Sequence, residues 1–310
     1  MALQLTKQVR EGRQAGPHLL ITGGVHGDEF EPMMAIRQLI RELEPSEPQG
    51  RELRGRVTLI PVVNEPAFRR GMRTAEDGLD LARNCPGDPA GSMTQQIAAA
   101  LTAQIGEADY YIDLHTGGTR LSVWPLTGYT QHPDPQLREP QQRMARAFGL
   151  PLIWATDWRL NGRSLSAARD ARVPAIYAEY LGGGRCEPAG VRAYVQGCLN
   201  VMRELGNLPG PVVRPATPMI LAEDDRPGAG HMQVQLPSPC DGFFEPAVTL
   251  GQRVKEGEPF GWVSDLLGSH RETVLCPYDG IVIVLHTFAR VGEKDSLGVI
   301  LDSRTITPTP

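Results

Sequence analysis

At 310 residues and 41% hydrophobic content the chain is long enough to bury a large core, and it reads as one big domain with a smaller one attached. A net charge of −5 with scattered basic residues excludes a nucleic-acid footprint, and no apolar run approaches the length of a membrane span. Five cysteines (Cys85, Cys186, Cys198, Cys240, Cys276), odd in number and nowhere at CxxC spacing, exclude a disulfide framework and a thiolate zinc site; with an N-terminal stretch, MALQLTKQVREG, that lacks a signal-peptide core, they predict a cytoplasmic protein.

The first informative stretch is LLITGGVHGDEFEP, Leu19 to Pro32. Leu19, Leu20 and Ile21 form the apolar run of a buried strand, Gly23, Gly24 and Gly27 break it, and Phe30 to Leu43 takes up helical spacing. Ligands of open α/β sheets bind at the carboxyl ends of strands, where this turn delivers His26 and Glu29. Arg56 to Val63 reads as the next strand, and Asn64 to Ala90 as a long loop without a clear period, containing Arg73 and the run DGLDLARNCPGDP. Ser92 caps a helix to about Ile105, which leads into the strand of ADYYIDLHTGG, Ala108 to Gly118. His115 closes that strand before a glycine pair, repeating the first arrangement.

Leu121 to Trp124 predicts a short strand, followed by a Pro-rich loop, a helix over Arg138 to Phe148 and a strand over Leu152 to Ala155. A helix over Ser164 to Ala171 precedes VPAIYAEYLGGG, Val173 to Gly184, a third buried strand that ends in Glu179 beside a triple glycine. Pro188 to Leu205 is an amphipathic helix. The Pro- and Gly-rich stretch from Asn207 to Pro218 reads as a linker, extended to residue 230 in the division 1–206, 207–230 and 231–310. Beyond it lies an internal repeat: DGFFEPAVTLGQRVKEGEPFGWV, Asp241 to Val263, is echoed by DGIVIVLHTFARVGEKDSLGVI, Asp279 to Ile300. With Gly242 and Gly280 in matching turns, the pattern resembles the barrel-sandwich of biotinyl and lipoyl carrier domains. The connection from Ser264 to Tyr278 has no lysine to modify, so a structural or lid role is expected instead.

His26, Glu29 and His115 make a donor set suited to one zinc ion with a position left for water, whose pKa such an ion lowers to about 7. Glu179, at the neighbouring strand end, is placed to take the proton from that water and pass it to a leaving amine. Arg73 in the long loop is expected to stabilise the developing oxyanion, and Arg83 to hold a substrate carboxylate by a bidentate pair. Cys85 reads as a small buried hydrophobe, and the other histidines as surface or packing residues.

GGVHGDE, DLARNCPG, DLHTGG and AEYLGGG, in this order, resemble the succinylglutamate desuccinylase and aspartoacylase family over nearly the whole chain. The resemblance implies a zinc-carboxypeptidase-like α/β fold around a mixed sheet, with a small C-terminal all-β barrel-sandwich domain. It also implies hydrolysis of the amide of small N-acylated amino acids. Residue by residue it implies His26, Glu29 and His115 as zinc ligands, Glu179 as the catalytic carboxylate, Arg73 as carbonyl-polarising and Arg83 as substrate-binding. Arg169 matches a further carboxylate-binding arginine. Where the family often has Asn directly before the loop arginine, this chain has Ala82, and Asn84 is the nearby amide that stands in for it. Two other readings stand beside this one: a carboxypeptidase-like zinc peptidase, and a non-catalytic small-acid-binding protein on the same fold. The expected partner is a small N-acyl amino acid, with no nucleic acid and no membrane; homo-oligomerisation is left open.

Overall fold

The computed structural model describes residues 3–214 and 218–307; residues 215–217 of the expected linker and the first two of the N-terminal stretch lie outside them. The chain opens β1 (Gln8–Glu11), β2 (Gln14–Thr22), α1 (Phe30–Glu42), α2 (Pro48–Glu52), β3 (Arg54–Ile60), α3 (Glu65–Arg70), α4 (Met93–Gly106) and β4 (Tyr110–His115). It continues β5 (Leu121–Thr130), α5 (Pro135–Phe148), β6 (Leu152–Thr156), α6 (Ser164–Asp170), β7 (Ala175–Gly182) and α7 (Pro188–Leu205). The remainder is almost wholly β: β8 (Ile220–Glu223), β9 (Gly242–Pro246), β10 (Arg253–Val254), β11 (Pro259–Ser264), β12 (Arg271–Leu275), β13 (Gly280–His286), β14 (Arg290–Val291), β15 (Gly298–Asp302) and β16 (Ile306–Thr307).

Among the described residues twelve strands form one mixed sheet, whose main path runs β1-β3-β2-β4-β7-β5-β6-β8-β16. β3, β2, β4 and β7 are mutually parallel, and β5 inserts antiparallel to β7. The parallel centre is buried on both faces, which is why β2 reads as an unbroken apolar run. Leu19 and Ile21 pack into the layer of α1, α5 and α7 with Ile36, Leu39, Met144, Phe148 and Tyr194. Leu20 points the other way, toward Ile97, Leu101 and Ile105 of α4 and Leu165 of α6. Each of these buried Leu or Ile side chains is worth about 1.5–3 kcal/mol, so this two-sided layering fixes the register of the strands that carry the site.

Several elements differ from the sequence reading. The loop from Asn64 to Ala90 is not structureless: Asn64 accepts from Ala67 N to cap α3, and Asp80 accepts from Ala82 N to start a 3-10 turn over Leu81–Arg83. β3 starts and stops earlier than Arg56 to Val63. β5 does not end at Trp124; Pro125 lies at a register shift between Val123 and Leu126, where the lost N–H costs no ladder bond, and the strand runs on to Thr130. Within the expected linker, β8 pairs parallel with β6.

The repeat is visible as two copies of one strand pattern. β9, β10 and β11 correspond to β13, β14 and β15, and the short strand of each half pairs with the first strand of the other: Val254 with Gly280, and Val291 with Gly242. One half contributes to the separate antiparallel sheet β12-β11-β9-β14. The other half continues the main sheet, because β13 also pairs with β5, Val284 opposite Val123.

Candidate active site

The site forms where β2, β4 and β7 end. Gly27 is required here by close approach: a Cβ on it would lie 2.1 Å from Ala67 C and 2.2 Å from Phe68 N, so only glycine lets the β2–α1 turn lie against α3. Glu29 is the N-cap of α1 but makes no capping bond, and its buried carboxylate turns instead toward the histidines. Glu29 Oε1 lies 2.6 Å from His26 Nδ1, and Oε2 lies 3.1 Å from His115 Nδ1 while accepting from Thr116 N at 3.2 Å. One donor atom from each of His26, Glu29 and His115 falls within 4.8 Å of the others.

Each imidazole also meets a second carboxylate at its far nitrogen. His26 Nε2 is 3.1 Å from Asp80 Oδ1, and His115 Nε2 is 3.0 Å from Asp113 Oδ2. A neutral imidazole carries a single N–H, so a ring between two carboxylates sets a lone pair against a lone pair on one side. A proton on each ring or a shared cation relieves this. With Asp80 and Asp113 taking the Nε2 protons, both Nδ1 lone pairs and the Glu29 carboxylate converge, as in carboxylate–histidine–metal arrangements. The donor set therefore fits a divalent metal. Burial works against charge on both groups, but His26 and His115 hold Glu29 well below the usual carboxylate range, and Asp113 with Glu29 hold His115 well above the usual imidazole value.

Asp80 and Asp113 are residues that sequence reasoning missed. Asp80 Oδ2 accepts from Arg73 Nη2 at 2.9 Å, so one carboxylate joins His26 to Arg73. Asp113 Oδ1 accepts from Thr22 Oγ1 at 2.9 Å, and Oδ2 from Ser164 Oγ. Strand alternation contained the signal for Asp113, which is two residues before His115 and so on the same face.

Glu179 is the register partner of His115, and its Oε2 is sealed from solvent without a hydrogen bond. Burial pushes its carboxyl up to about 7, against the opposing pull of His115. His26, Arg73, Arg83, His115 and Glu179 line one cavity, together with Arg163, Tyr177 and Gln233. Burial and the neighbouring Arg163 push Arg83 down to about 10. The Arg163 guanidinium has no carboxylate within ion-pair distance among the described residues, leaving two cations on this wall.

Two of the expected substrate residues sit elsewhere. Arg169 donates to Trp158 O at 2.7 Å and Asn161 Oδ1 at 2.8 Å and does not itself line the cavity, whereas Arg163, six residues earlier, does. Asn84 donates through Nδ2 to Asp80 O at 2.7 Å and braces the 3-10 turn. Burial pushes the Cys85 thiol up to about 12, in keeping with a packing role.

Comparison with known proteins defines the class first. Residues 15–205 match the succinylglutamate desuccinylase/aspartoacylase catalytic domain, and the chain belongs to that family. Over 296 residues it is 31% identical to the N-alpha-acetyl-L-2,4-diaminobutyric acid deacetylase of Halomonas elongata, covering 94% of this chain and 83% of that one. Among solved structures it resembles a succinylglutamate desuccinylase/aspartoacylase from Rhodobacter sphaeroides, with a TM-score of 0.84, 31% identity, and coverage of 96% of this chain and 88% of the other. The product-bound ectoine utilization protein EutE (DoeB) of Ruegeria pomeroyi gives a TM-score of 0.83 at 27% identity, covering 95% and 87%. No helix among the described residues is long and apolar enough to cross a membrane.

Proposed function

We propose that this protein is a zinc-dependent amidohydrolase that removes a short acyl group from an amino acid or a related small amine. The observation that carries this reading is the convergence of His26, Glu29 and His115 in one cavity with the unpartnered Glu179 carboxylate. The kinship with a diaminobutyrate deacetylase supports an N-acetyl diamino acid as a substrate to try first.

Bound by His26, Glu29 and His115, a zinc ion supplies a Lewis acid and water of lowered pKa. Arg83 and Arg163 hold the substrate carboxylate and so orient the amide. The Arg73 guanidinium, braced by Asp80, faces the negative charge that grows on the acyl oxygen. Glu179 accepts a proton from the attacking water at its carboxylate and delivers it to the leaving nitrogen, a role open to a buried carboxylate whose Oε2 has no hydrogen-bond partner. Residues 1–206 form the hydrolase domain in this reading and 231–310 a β module, and the protein works in the cytoplasm, in keeping with its five unpaired cysteines.

The test is metal analysis of the purified protein together with release of free amine from N-acetyl-L-2,4-diaminobutyrate, N-acetyl-L-aspartate and N-succinyl-L-glutamate. Turnover of at least one, abolished by chelation and restored by zinc, is expected. No hydrolysis across the panel, or hydrolysis indifferent to chelation, overturns the reading.

A further inference from the structure

Gln233 lies in a single 3-10 turn, Met232–Val234, at the start of the 231–310 module and before its first strand, β9. The module holds this turn firmly. Ser296 Oγ is within hydrogen-bond distance of Met232 O and Gln235 O, at 2.8 and 2.7 Å, and Leu297 N donates to Leu236 O at 3.0 Å. Met232 itself is buried against the apolar cluster of Ile281, Ile283 and Val299. The next side chain, Gln233, is exposed and reaches across to the long loop of the hydrolase domain, where Arg83 Nη2 donates to Gln233 Oε1 at 2.6 Å.

This contact fixes which end of the amide faces which way. Arginine has donors only, so the atom it meets is the amide oxygen, and the NH2 group turns away from Arg83. That NH2 donates to no acceptor among the described residues. Gln233 lines the cavity that holds His26, His115 and Glu179, and also the cleft on the far side of Arg73. Beside Arg83, the Ala82 side chain lines the same cavity and offers no polar atom.

We propose that Gln233 determines specificity, its amide NH2 and the Arg83 guanidinium together receiving the carboxylate of the acyl amino acid. Acid recognition is then completed by a residue 150 positions from Arg83, held in place by the β module. This inference rests on the deacylase reading. Its competitor is that Gln233 occupies Arg83 when the site is empty and must be displaced by the substrate.

Gln233→Met separates the two by sign, since methionine keeps the length and loses both polar atoms. The measurement is the kcat/KM ratio between whichever member of the panel the wild type turns over fastest and the α-carboxamide of that compound. Loss of a hydrogen bond to a charged group lowers the ratio roughly tenfold or more, mostly through KM for the acid. Ser296→Ala leaves Gln233 in place but loosens its turn, and is expected to lower the same ratio by a smaller factor. A higher ratio in Gln233→Met, or an equal loss on acid and carboxamide, overturns this inference alone. A wild type that hydrolyses no member of the panel overturns the deacylase reading and this inference with it.

Discussion

His115 and Glu179 lie directly opposite one another as the last paired residues of the parallel strands β4 and β7. Their spacing is thus set by the sheet, whose strands run about 4.8 Å apart, and not by the glycine-rich loops that follow. Two residues anchored this way keep their backbone spacing independently of the loops that follow. We therefore expect Glu179→Gln to leave the fold and metal content intact while lowering kcat by about 10²- to 10⁴-fold. A variant that keeps most of its turnover would remove Glu179 from the proton path.

For the metal, about one zinc per chain is expected, since the donors that converge belong to a single cluster among the described residues. His26→Ala and His115→Ala should each lose it on dialysis. Full occupancy in both variants, measured by elemental analysis, contradicts the ligand assignment.

Asp80 and Asp113 hold the outer nitrogens of the two histidines, so Asp80→Asn and Asp113→Asn should weaken zinc affinity about 10- to 100-fold without abolishing it. Asp80→Asn should additionally lower kcat at saturating zinc, because Arg73 loses its ionised partner. Competition with a calibrated chelator reads the first effect, and steady-state kinetics the second.

Arg83 and Arg169 should respond differently to the same change. Arg83 lines the cavity, and lysine cannot reproduce a bidentate fork, so Arg83→Lys is expected to lower kcat/KM for N-acyl amino acids much more than for the matching amides. Arg169 is tied to Trp158 O and Asn161 Oδ1, so Arg169→Lys should lower thermal stability while leaving that ratio unchanged. Equal losses on charged and uncharged substrates in Arg83→Lys would make Arg83 structural.

Asp302 joins the end of β15 to the segment after β8. Hydrogen bonds from Arg304, and a further one from Arg226 at 3.0 Å, hold its carboxyl at about 2 despite burial. A carboxylate depressed in the folded state stabilises above its unfolded value, and the contribution fades as pH falls through the folded one. That contribution is present at pH 7 and lost as pH falls from about 4 toward 2. Asp302→Asn should be less stable at neutral pH, with the gap closing toward pH 2. A gap independent of pH would assign the effect to packing.

The core of the site was legible because its parts are local. His26 and Glu29 share a turn, His115 and Glu179 each follow an apolar run, and a run that is buried on both faces announces a central parallel strand. Weak or contradictory local signals hid other elements. β8 has four residues in a Pro-rich stretch, and Pro125 reads as a breaker although it occupies an irregularity in β5. The residues on the arginine-lined wall of the cavity were least accessible. Arg163 sits just before α6, in a segment whose composition says only loop, and the meeting of Arg83 with Gln233 depends on how two distant parts of the chain pack.

The crossed pairing of the C-terminal repeat makes its two halves mutually dependent. Either half alone leaves the edge of its first strand bare at Gly242 or Gly280, where the short strand of the other half now lies. Two separate copies of one half would satisfy those edges in the same way, around a two-fold axis. Each half therefore depends on the other to complete its sheet, while one half also extends the main sheet through β5 and the other keeps a sheet of its own.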